Sequence, residues 1–372
     1  MFPTINRESS MLGFGCMRFP TTPDDKIDES EAIRMIRHAI DNGVRYIDTA
    51  YPYHGGESEI VIGKALKDGY REKVILTTKL PVWLVKTHED MMKFLDEQLK
   101  KLDTPYVDFY ILHAMNNERM DAMQKLDYKR FYAEAIAQGK VRYPGFSFHD
   151  DAKAFLRILH DWNQWGMCQV QMNILDDENQ ATLEGIREAG RRGVGVVVME
   201  PLRGGLLANP PVDVKAVYDA YAVRRSPVEW GFRYLYAMPE VITILSGMST
   251  WAQVTDNLRI FDMAKRPTLT DEELALYQKV KATYLARTKT RCTGCKYCQP
   301  CPMGVQIPRI FQGYDAAMLR ADSSFKAGYA QIQADHADAS QCIHCRKCEH
   351  VCPQHLPITR FLEEIHAVST AE

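Results

Sequence analysis

The sequence predicts an α/β protein in which a (β/α)8 barrel is followed by a small, mostly helical domain. Three observations indicate this fold class. Apolar strand segments alternate with amphipathic helical segments about eight times, which is typical of parallel sheets covered by helices. The 372 residues exceed the roughly 250 residues of one such barrel. Eight of the ten cysteines fall between Cys292 and Cys352, where we expect a second domain.

The predicted elements follow one another regularly along the chain. The strand segments read LGFGCMRFP, GVRYIDTA, KVILTTKL, YVDFYILHA, VRYPGFSF, CQVQMNIL, VGVVVME and VITILSG. The helical segments read DESEAIRMIRHAIDNG, GESEIVIGKALKDG, EDMMKFLDEQLKKL, FYAEAIAQGK, AKAFLRILHDW, TLEGIREAGRRG, EWGFRYLYAM and WAQVTDNLRIFDM. In the first helix Ala32, Ile36 and Ile40 recur on one side at helical spacing, and Gly43 follows as a stop signal. A closed barrel is favoured over an open doubly wound sheet because no glycine-rich phosphate turn follows the first strand.

The composition changes after Pro267. Thr270 and the acidic residues that follow it form a capping box, which predicts a helix through about Leu285. A polar stretch, Ala286–Arg291, then leads into the cysteines. The sequence therefore predicts a barrel domain at residues 1–288 and a helical domain at residues 289–372.

Charge and composition exclude several classes of partner. Lys plus Arg number 46 against 48 Asp plus Glu, with no basic stripe, so we expect no nucleic-acid partner. No apolar run reaches 18 residues and the N-terminus lacks an apolar signal core, so neither a membrane nor secretion is expected. Closely spaced cysteines suit metal ligation in a reducing compartment, which indicates the cytoplasm.

Four ionisable side chains occur at or just after the ends of three predicted strands: Asp48, Tyr53, Lys79 and His113. The C-terminal ends of parallel barrel strands converge on one face, so we expect these side chains to share one site. Each of them alone would be interpreted as an ordinary polar residue, but their coincidence indicates catalysis. A phenol beside an ammonium and an imidazole suits carbonyl reduction, in which a developing alkoxide needs a proton.

The motif G-x-R-x-x-D-T-A-x-x-Y from Gly43 to Tyr53, followed by the lysine and the histidine, resembles the aldo-keto reductase family in order and spacing. This resemblance implies a TIM barrel that interconverts a carbonyl substrate, an aldehyde or ketone, and an alcohol with NAD(P)H. It makes Tyr53 the acid and Lys79 the cation that lowers the tyrosine pKa. It also implies that Asp48 holds the lysine and that His113 aims the carbonyl oxygen.

The same resemblance implies a set of nicotinamide dinucleotide contacts along the top of the barrel. They are Met17, Arg18, Asp48, Ser147, Phe148, Gln169, Met199, Pro201, Leu202, Gly204, Gly205, Gly247, Gln253 and Asn257. Four of them depart from the family pattern: Phe148 replaces an Asn, Met199 replaces a stacking Tyr, and Gly247 and Gln253 replace the Lys and Arg that clamp the 2′-phosphate of NADP. Either NAD, or NADP held by Arg203 or Arg259, is consistent with these changes. The candidate pocket walls are Trp83, His149, Trp251 and residues 115–124.

The cysteines form two groups with metal-ligand spacing. The second group, CIHCRKCEHVCP, is the bacterial ferredoxin run C-x2-C-x2-C-x3-C-P, and the first, CTGCKYCQPCP, departs by one residue in its last gap. In that run the fourth cysteine binds the neighbouring cluster. This crossed scheme predicts two 4Fe-4S clusters, one held by Cys292, Cys295, Cys298 and Cys352 and the other by Cys342, Cys345, Cys348 and Cys301. Zinc sites with four cysteines and disulfides are the alternatives, and both leave part of the motif unexplained.

The leading hypothesis is an oxidoreductase that interconverts a carbonyl and an alcohol with NAD(P)H and carries, or is coupled to, 4Fe-4S electron transfer. Clusters move one electron at a time, whereas nicotinamide transfers two electrons as hydride. A flavin could link one-electron and two-electron transfer, and so could a redox partner, either a ferredoxin or a flavoprotein. The alternatives are a flavin- or ferredoxin-linked reductase fed by the clusters and a non-catalytic redox sensor that binds nicotinamide.

Overall fold

The computed structural model describes residues 8–262, 266–292, 294, 296–352 and 354–371. It contains a closed barrel of eight parallel strands that neighbour one another in chain order. The strands are β1 (Leu12–Gly15), β2 (Tyr46–Asp48), β3 (Ile75–Leu80), β4 (Val107–Met115), β5 (Val141–Phe148), β6 (Met167–Gln171), β7 (Gly195–Met199) and β8 (Val241–Gly247). β1 pairs with β8 and closes the barrel. The predicted α/β barrel is confirmed.

Helices alternate with these strands along the barrel segment. They are α1 (Glu29–Asp41), α2 (Ser58–Ala65), α3 (His88–Lys101), α4 (Asn117–Lys125), α5 (Tyr128–Ala137), α6 (Ala152–Asp161), α7 (Thr182–Arg191), α8 (Val212–Asp219), α9 (Pro227–Tyr236) and α10 (Trp251–Phe261). The sequence did not predict α4 or α8. α4 buries only Met120 and Met123, so its apolar periodicity is weak. It begins where the Asn116 side chain accepts a hydrogen bond from the Arg119 N–H.

The barrel interior is filled by a cluster of packed side chains. Its buried members are Tyr46, Ile75, Phe109, Ile111, Met167, Val197, Ile242 and Leu245. Gly13 in β1 has no room for a side chain, because a Cβ there would lie 2.7 Å from Thr243 and 2.8 Å from Leu245. The missing Cβ lets β1 close tightly against β8. Tyr46 precedes Asp48 and Ile111 precedes His113, so the packed cluster forms the floor beneath the strand ends.

The chain forms two compact units. The barrel unit comprises Met1–Gly204 and Val228–Leu269, and the cysteine unit comprises Gly205–Pro227 and Thr270–Glu372. In the cysteine unit α8 packs against α11 (Asp271–Arg287), which begins with the predicted capping box of Thr270 and Glu273. The two compact units therefore do not meet at residue 288, where the sequence predicts the domain boundary. That boundary remains a prediction about the two functional domains.

The cysteine unit has a small apolar core of its own. After α11 it contains α12 (Ile307–Arg320), α13 (Ser324–Ala334), α14 (Lys347–His350) and α15 (Ile358–Thr370). Ile310, Phe311, Tyr329 and Ile365 are among the buried core residues. The Asp315 carboxylate accepts hydrogen bonds from the N–H groups of residues 289–291 and from the Thr290 hydroxyl. These bonds tie the chain just before Cys292 to α12.

None of the described helices is both long enough and apolar enough to cross a bilayer.

Candidate active site

The four predicted catalytic side chains meet at the C-terminal end of the barrel. Asp48 ends β2, Lys79 lies in β3, His113 lies in β4, and Tyr53 lies in a short 3-10 turn after β2. The Lys79 ammonium donates hydrogen bonds to Asp48 Oδ1 at 2.7 Å, to the Thr49 carbonyl oxygen at 2.7 Å and to the Tyr53 hydroxyl oxygen at 3.2 Å. The Tyr53 and His113 rings meet edge to face, with centroids 6.1 Å apart.

The depth of these groups differs in a way that suits a proton relay. Asp48 and Lys79 are 2% and 1% exposed, whereas Tyr53 and His113 are half-buried. Burial disfavours the Lys79 ammonium, but Asp48 and Tyr53 outweigh it and raise the lysine pKa. Lys79 therefore stays charged at neutral pH. The Lys79 ammonium is enclosed behind the Tyr53 phenol. Of the four groups, only the phenol and the His113 imidazole are exposed to a molecule bound at the C-terminal end of the barrel.

Burial is also the largest influence on the phenol. It raises the pKa of Tyr53, and although Lys79 acts in the opposite direction, the net shift is upward. The sequence prediction of a lowered tyrosine pKa is therefore wrong for this state of the protein, while the direction of the lysine effect is as predicted. Tyr53 is protonated at neutral pH and can act as a donor.

His113 is held in its neutral form. Burial lowers its pKa to about 2, and the charges of Lys79, His149 and Arg119 act in the same direction. Its Nδ1 atom is buried and has no hydrogen-bond partner among the described atoms. The Trp83 ring lies against the imidazole with centroids 5.1 Å apart. A neutral imidazole can donate one hydrogen bond without adding a charge.

The sequence analysis did not identify the buried residues that hold the strand carrying Lys79 in place. The Gln98 amide of α3 donates to Glu59 Oε1 at 2.6 Å and to the backbone oxygen of Lys79 at 3.1 Å. The Thr78 hydroxyl also donates to Glu59 Oε1, at 2.6 Å. Burial raises the pKa of Glu59, and these two donors oppose the shift. The sequence does contain a signal for them. Glu59 and Gln98 are polar residues that fall among the apolar positions of their predicted helices, on the faces that are buried.

Three predicted cofactor contacts are buried polar groups, two on the neighbouring strands β5 and β6 and one on α10. The Ser147 hydroxyl accepts from the Ala114 N–H at 2.7 Å, and the Asn257 amide donates to the Ser246 hydroxyl at 2.9 Å. Gln169 Oε1 is buried without a hydrogen-bond partner among the described atoms. An unsatisfied buried carboxamide oxygen is costly unless a ligand donates to it. The free Gln169 oxygen thus suits a ligand that donates an N–H, as the carboxamide of nicotinamide does.

Three predicted positions pack against other parts of the barrel. Phe148 is fully buried and packs against Phe155 of α6, with centroids 5.2 Å apart, so it offers no surface to a cofactor. The Trp251 indole N–H donates to Glu31, and its ring meets His38, so this side chain packs against α1 rather than lining the pocket. Met199 packs against the interior cluster of the barrel.

The remaining predicted positions surround the loops after β1, β7 and β8. Pro201 and Leu202 follow β7, and Gly204 and Gly205 have φ values of +66° and +98°. Met17 and Arg18 are exposed, and a Cβ on Gly247 would lie 3.0 Å from the Arg18 side chain. The Gln253 side chain accepts from the N–H groups of residues 249 and 250 and so caps α10.

The two arginines suggested for a cofactor phosphate already have acidic partners. Arg203 pairs with Asp176 at 3.3 Å. Arg259 pairs with Asp256 at 2.9 Å and with Glu229 at 3.4 Å. Arg18 has no ion-pair partner among the described residues. Of these cations, Arg18 is therefore the one best able to meet an additional phosphate.

The cysteine unit brings the cysteines together in two sets. A cavity of about 190 Å³ is lined by Cys298, Cys301, Cys342, Cys345 and Cys348. A second, smaller cavity is lined by Cys292, Cys298 and Cys352, and Cys295 lies outside the described residues. The last cysteine of each motif thus lies beside cysteines of the other motif, the arrangement that the crossed scheme requires. Within the described residues, no three His, Cys, Asp or Glu side chains converge as the ligands of one ion would.

Comparison with protein families gives two matches. Residues 11–282 match the model of the aldo/keto reductase family, and residues 291–356 match the model of a 4Fe-4S dicluster domain. A probable aldo-keto reductase 1 from Glycine max is 27% identical over 219 residues, which are 55% of this chain and 59% of that protein. The uncharacterized oxidoreductase YqkF from Bacillus subtilis strain 168 is 24% identical over 312 residues, which are 74% of this chain and 94% of that protein.

Solved structures resemble the barrel. The holo form of the aldo-keto reductase AKR11C1 from Bacillus halodurans matches with a TM-score of 0.62 and 27% identity, and the match covers 75% of this chain and 95% of that chain. An aldo/keto reductase from Klebsiella pneumoniae in complex with NADP and acetate matches with a TM-score of 0.58 and 22% identity, over 73% of this chain and 92% of that chain. The second likeness concerns the fold alone.

Proposed function

This chain belongs to the aldo/keto reductase family, and from that premise we propose that it interconverts an aldehyde or ketone and an alcohol with NAD(P)H at the barrel mouth. We further propose that the cysteine unit carries two 4Fe-4S clusters. The observation that carries the first proposal is the contact of one buried ammonium with both a carboxylate and the half-buried phenol of Tyr53.

A nicotinamide cofactor, when bound, would supply the hydride for the carbonyl carbon. The neutral His113 donates a hydrogen bond that holds the carbonyl oxygen beside Tyr53. The phenol transfers its proton to that oxygen as negative charge develops on it. Lys79 lies against the phenol oxygen and stabilises the phenolate that remains, and Asp48 keeps the lysine in place. In alcohol oxidation the same phenolate accepts the proton.

For the cofactor we propose a reduced set of contacts. Gln169 would receive the nicotinamide amide on its free carboxamide oxygen, with Ser147 and Asn257 beside it. Arg18 replaces Arg203 and Arg259 as the proposed phosphate contact, because both of those arginines are already paired with carboxylates. Phe148 is left out of the set.

A matched pair of tyrosine variants tests the catalytic proposal. Tyr53→Phe should lower kcat for an aromatic aldehyde by about a hundred- to ten-thousandfold, the size of a general-acid contribution. Quenching of protein fluorescence by NADPH should be unchanged, since the ring remains. Tyr51→Phe is the control, because its ring also lies beneath a lysine, with Lys101 Nζ 4.2 Å from the centroid. It should keep full turnover. Retained turnover in Tyr53→Phe would remove that residue from the acid role.

For the clusters we propose the crossed ligand scheme, with Cys292, Cys295, Cys298 and Cys352 for one and Cys342, Cys345, Cys348 and Cys301 for the other. The cavity lined by thiols of both motifs fits a group bound by several thiolates. A bound cluster would supply one-electron transfer. Thiolates of this kind suit a reducing compartment, so we propose the cytoplasm as the location.

We propose a one-electron carrier with an acidic surface, a ferredoxin or flavoprotein, as the redox partner. Four exposed apolar side chains line the larger cysteine cavity: Tyr297, Met303, Ile343 and Val351. The exposed Arg346 and Lys347 line the same cavity and have no ion-pair partner among the described residues. An apolar patch with a cationic rim suits transient docking of an anionic protein. The comparisons lend no support to a flavin on this chain.

Anaerobic spectroscopy tests this partner. A reduced plant-type ferredoxin should bleach the visible cluster absorption, and Arg346→Glu with Lys347→Glu should slow the bleaching about tenfold or more at low salt. Reversal of Lys215 and Arg224, two exposed cations of the same unit, is the control and should have little effect. Equal rates in both variants would exclude the patch. A resolved flavin band would favour the flavin-linked alternative, and bleaching by NADPH alone would indicate that nicotinamide reaches the clusters directly.

A further inference from the structure

A second cation, besides Lys79, lies near the active-site imidazole. The Arg119 guanidinium carbon is 5.4 Å from the centroid of the Trp83 ring. That ring is in turn 5.1 Å from the His113 ring. Trp83 therefore contacts both the guanidinium and the imidazole, and the cation belongs to the surroundings of His113.

The backbone fixes Arg119 in this place. Its N–H donates to the Asn116 side chain at 2.7 Å at the start of α4, and its guanidinium donates to the Ala114 carbonyl oxygen just after His113. The residue is half-buried. An arginine that donates to the backbone and stacks on an indole loses little further freedom when it meets a ligand.

Arg119, like Arg18, has no carboxylate partner in the described part of the chain, whereas two other arginines near this end of the barrel do. Arg203 pairs with Asp176, and Arg157 of α6 pairs with Asp121. A guanidinium has five N–H donors, and a carboxylate can accept hydrogen bonds from two of them at once. Its charge is also felt in the site, because it contributes to the lowered pKa values of both His113 and His149.

We propose that Arg119, stacked on Trp83, forms an anion-binding subsite that holds a carboxylate of the substrate while the carbonyl group lies between Tyr53 and His113. This inference rests on the proposed carbonyl chemistry and deepens it by naming the substrate class: short aldehyde or keto acids, with the anion several bonds from the carbonyl. The subsite is separate from the position of the carbonyl oxygen at Tyr53. One substrate can therefore place its carboxylate at Arg119 and its carbonyl group at Tyr53.

Two aldehydes that differ only in charge test the subsite in the whole protein with NADPH. They are 4-carboxybenzaldehyde and its neutral amide analogue, 4-formylbenzamide. Wild type should favour the carboxylate in kcat/KM by about ten- to a hundredfold, the size of a charge-assisted hydrogen bond. Arg119→Met should remove this preference through KM and leave the amide nearly unchanged, whereas Arg119→Lys should keep part of it.

The matched control is Arg34→Met. Arg34 lies over Trp251 at the same 5.4 Å, on the outer surface between α1 and α10. Its removal should leave the preference intact. A preference that survives in Arg119→Met, or no preference in wild type, would overturn the subsite.

A binding measurement separates failure of the subsite from failure of the proposed function. Isothermal titration with 4-(hydroxymethyl)benzoate and with its amide needs no turnover. Weaker binding of the carboxylate alone in Arg119→Met supports the subsite even if neither aldehyde is reduced. Equal binding of the carboxylate by wild type and Arg119→Met contradicts it, even if the amide aldehyde is a good substrate.

Discussion

The two candidate sites of this protein differ in what holds their functional groups. At the barrel mouth Asp48 and Lys79 are almost fully buried, sit on hydrogen-bonded strands and contact each other at 2.7 Å. In the cysteine unit Cys345 is exposed, and Cys301 and Cys342 are half-buried beside the same cavity. Side chains of the polypeptide hold one another in place at the first site, whereas the second would be completed by the proposed cluster.

The cores of the two units show the same difference. The barrel is closed by eight paired strands around a packed interior. The core of the cysteine unit is small and includes a predicted ligand, Cys352, with other cysteines packed against it. Small domains bury too little apolar surface to be stable without help, and binding of a metal centre then supplies folding free energy. This contrast leads to four predictions, of which the first concerns the largest effect.

Removal of iron should affect the two units very differently. Anaerobic chelation under mild conditions should abolish hydrogen-exchange protection in α12 and α15, because both helices contribute core residues beside the cysteines. Protection of β2, β3 and β4 should remain, as should quenching of fluorescence by NADPH. Hydrogen-exchange mass spectrometry reports both units in one sample. Persistent protection of α12 in iron-free protein would show that the unit is stable without its clusters.

Much of the barrel site could be predicted from sequence, because the β/α alternation fixes which residues end strands. Asp48, Lys79 and His113 follow from that rule alone. The position of Phe148 could also have been derived: successive strand residues face opposite sides, so if Ser147 faces inward its neighbour faces the helices. The stack of Trp83 and Arg119 could not, since it depends on α4, whose apolar pattern is weak. The net pKa shift of Tyr53 depends on burial, which the sequence does not give.

The buried ion pair provides the second prediction, on stability. Lys79→Met leaves the Asp48 carboxylate buried without its cation and should reduce the free energy of unfolding of the barrel by about 3–5 kcal/mol. The double variant Asp48→Asn with Lys79→Met should recover most of this loss but no turnover, since the phenol still lacks its cation. Urea unfolding followed by tryptophan fluorescence measures the stability.

A surface pair serves as the control for that experiment. Lys64 contacts Glu29 at 2.6 Å, with both side chains nearly half exposed, so Lys64→Met should cost about 0–1 kcal/mol. Similar losses for Lys64→Met and Lys79→Met would mean that burial at the barrel mouth adds little. A double variant as unstable as Lys79→Met alone would point to lost packing rather than to an unpaired charge.

The smallest expected effect is that of pH on activity. The titratable groups of the barrel site should not change their protonation near neutral pH. Since burial lowers the pKa of His113 to about 2 and raises that of Tyr53, neither group changes charge between pH 6 and pH 9. We therefore expect kcat/KM for a neutral aldehyde to be flat over this range, without the inflection near pH 6.5 of an ordinary histidine. A clear inflection that disappears in His113→Asn would mean that the imidazole is reached by water and titrates in the working enzyme.

Stability should respond to acid even though activity at neutral pH does not. Below about pH 6.5 the unfolded chain binds a proton at His113 that the folded protein does not accept until about pH 2. The unfolded state then holds more protons, so stability falls as the pH falls, by up to about 1.4 kcal/mol per pH unit from this group. His113→Asn should flatten this part of the acid limb in urea titrations at pH 5 and pH 7. An unchanged slope would show that His113 is no more protected than an exposed histidine, and the contrast between the insulated barrel mouth and the open cysteine cavity would lose its electrostatic basis.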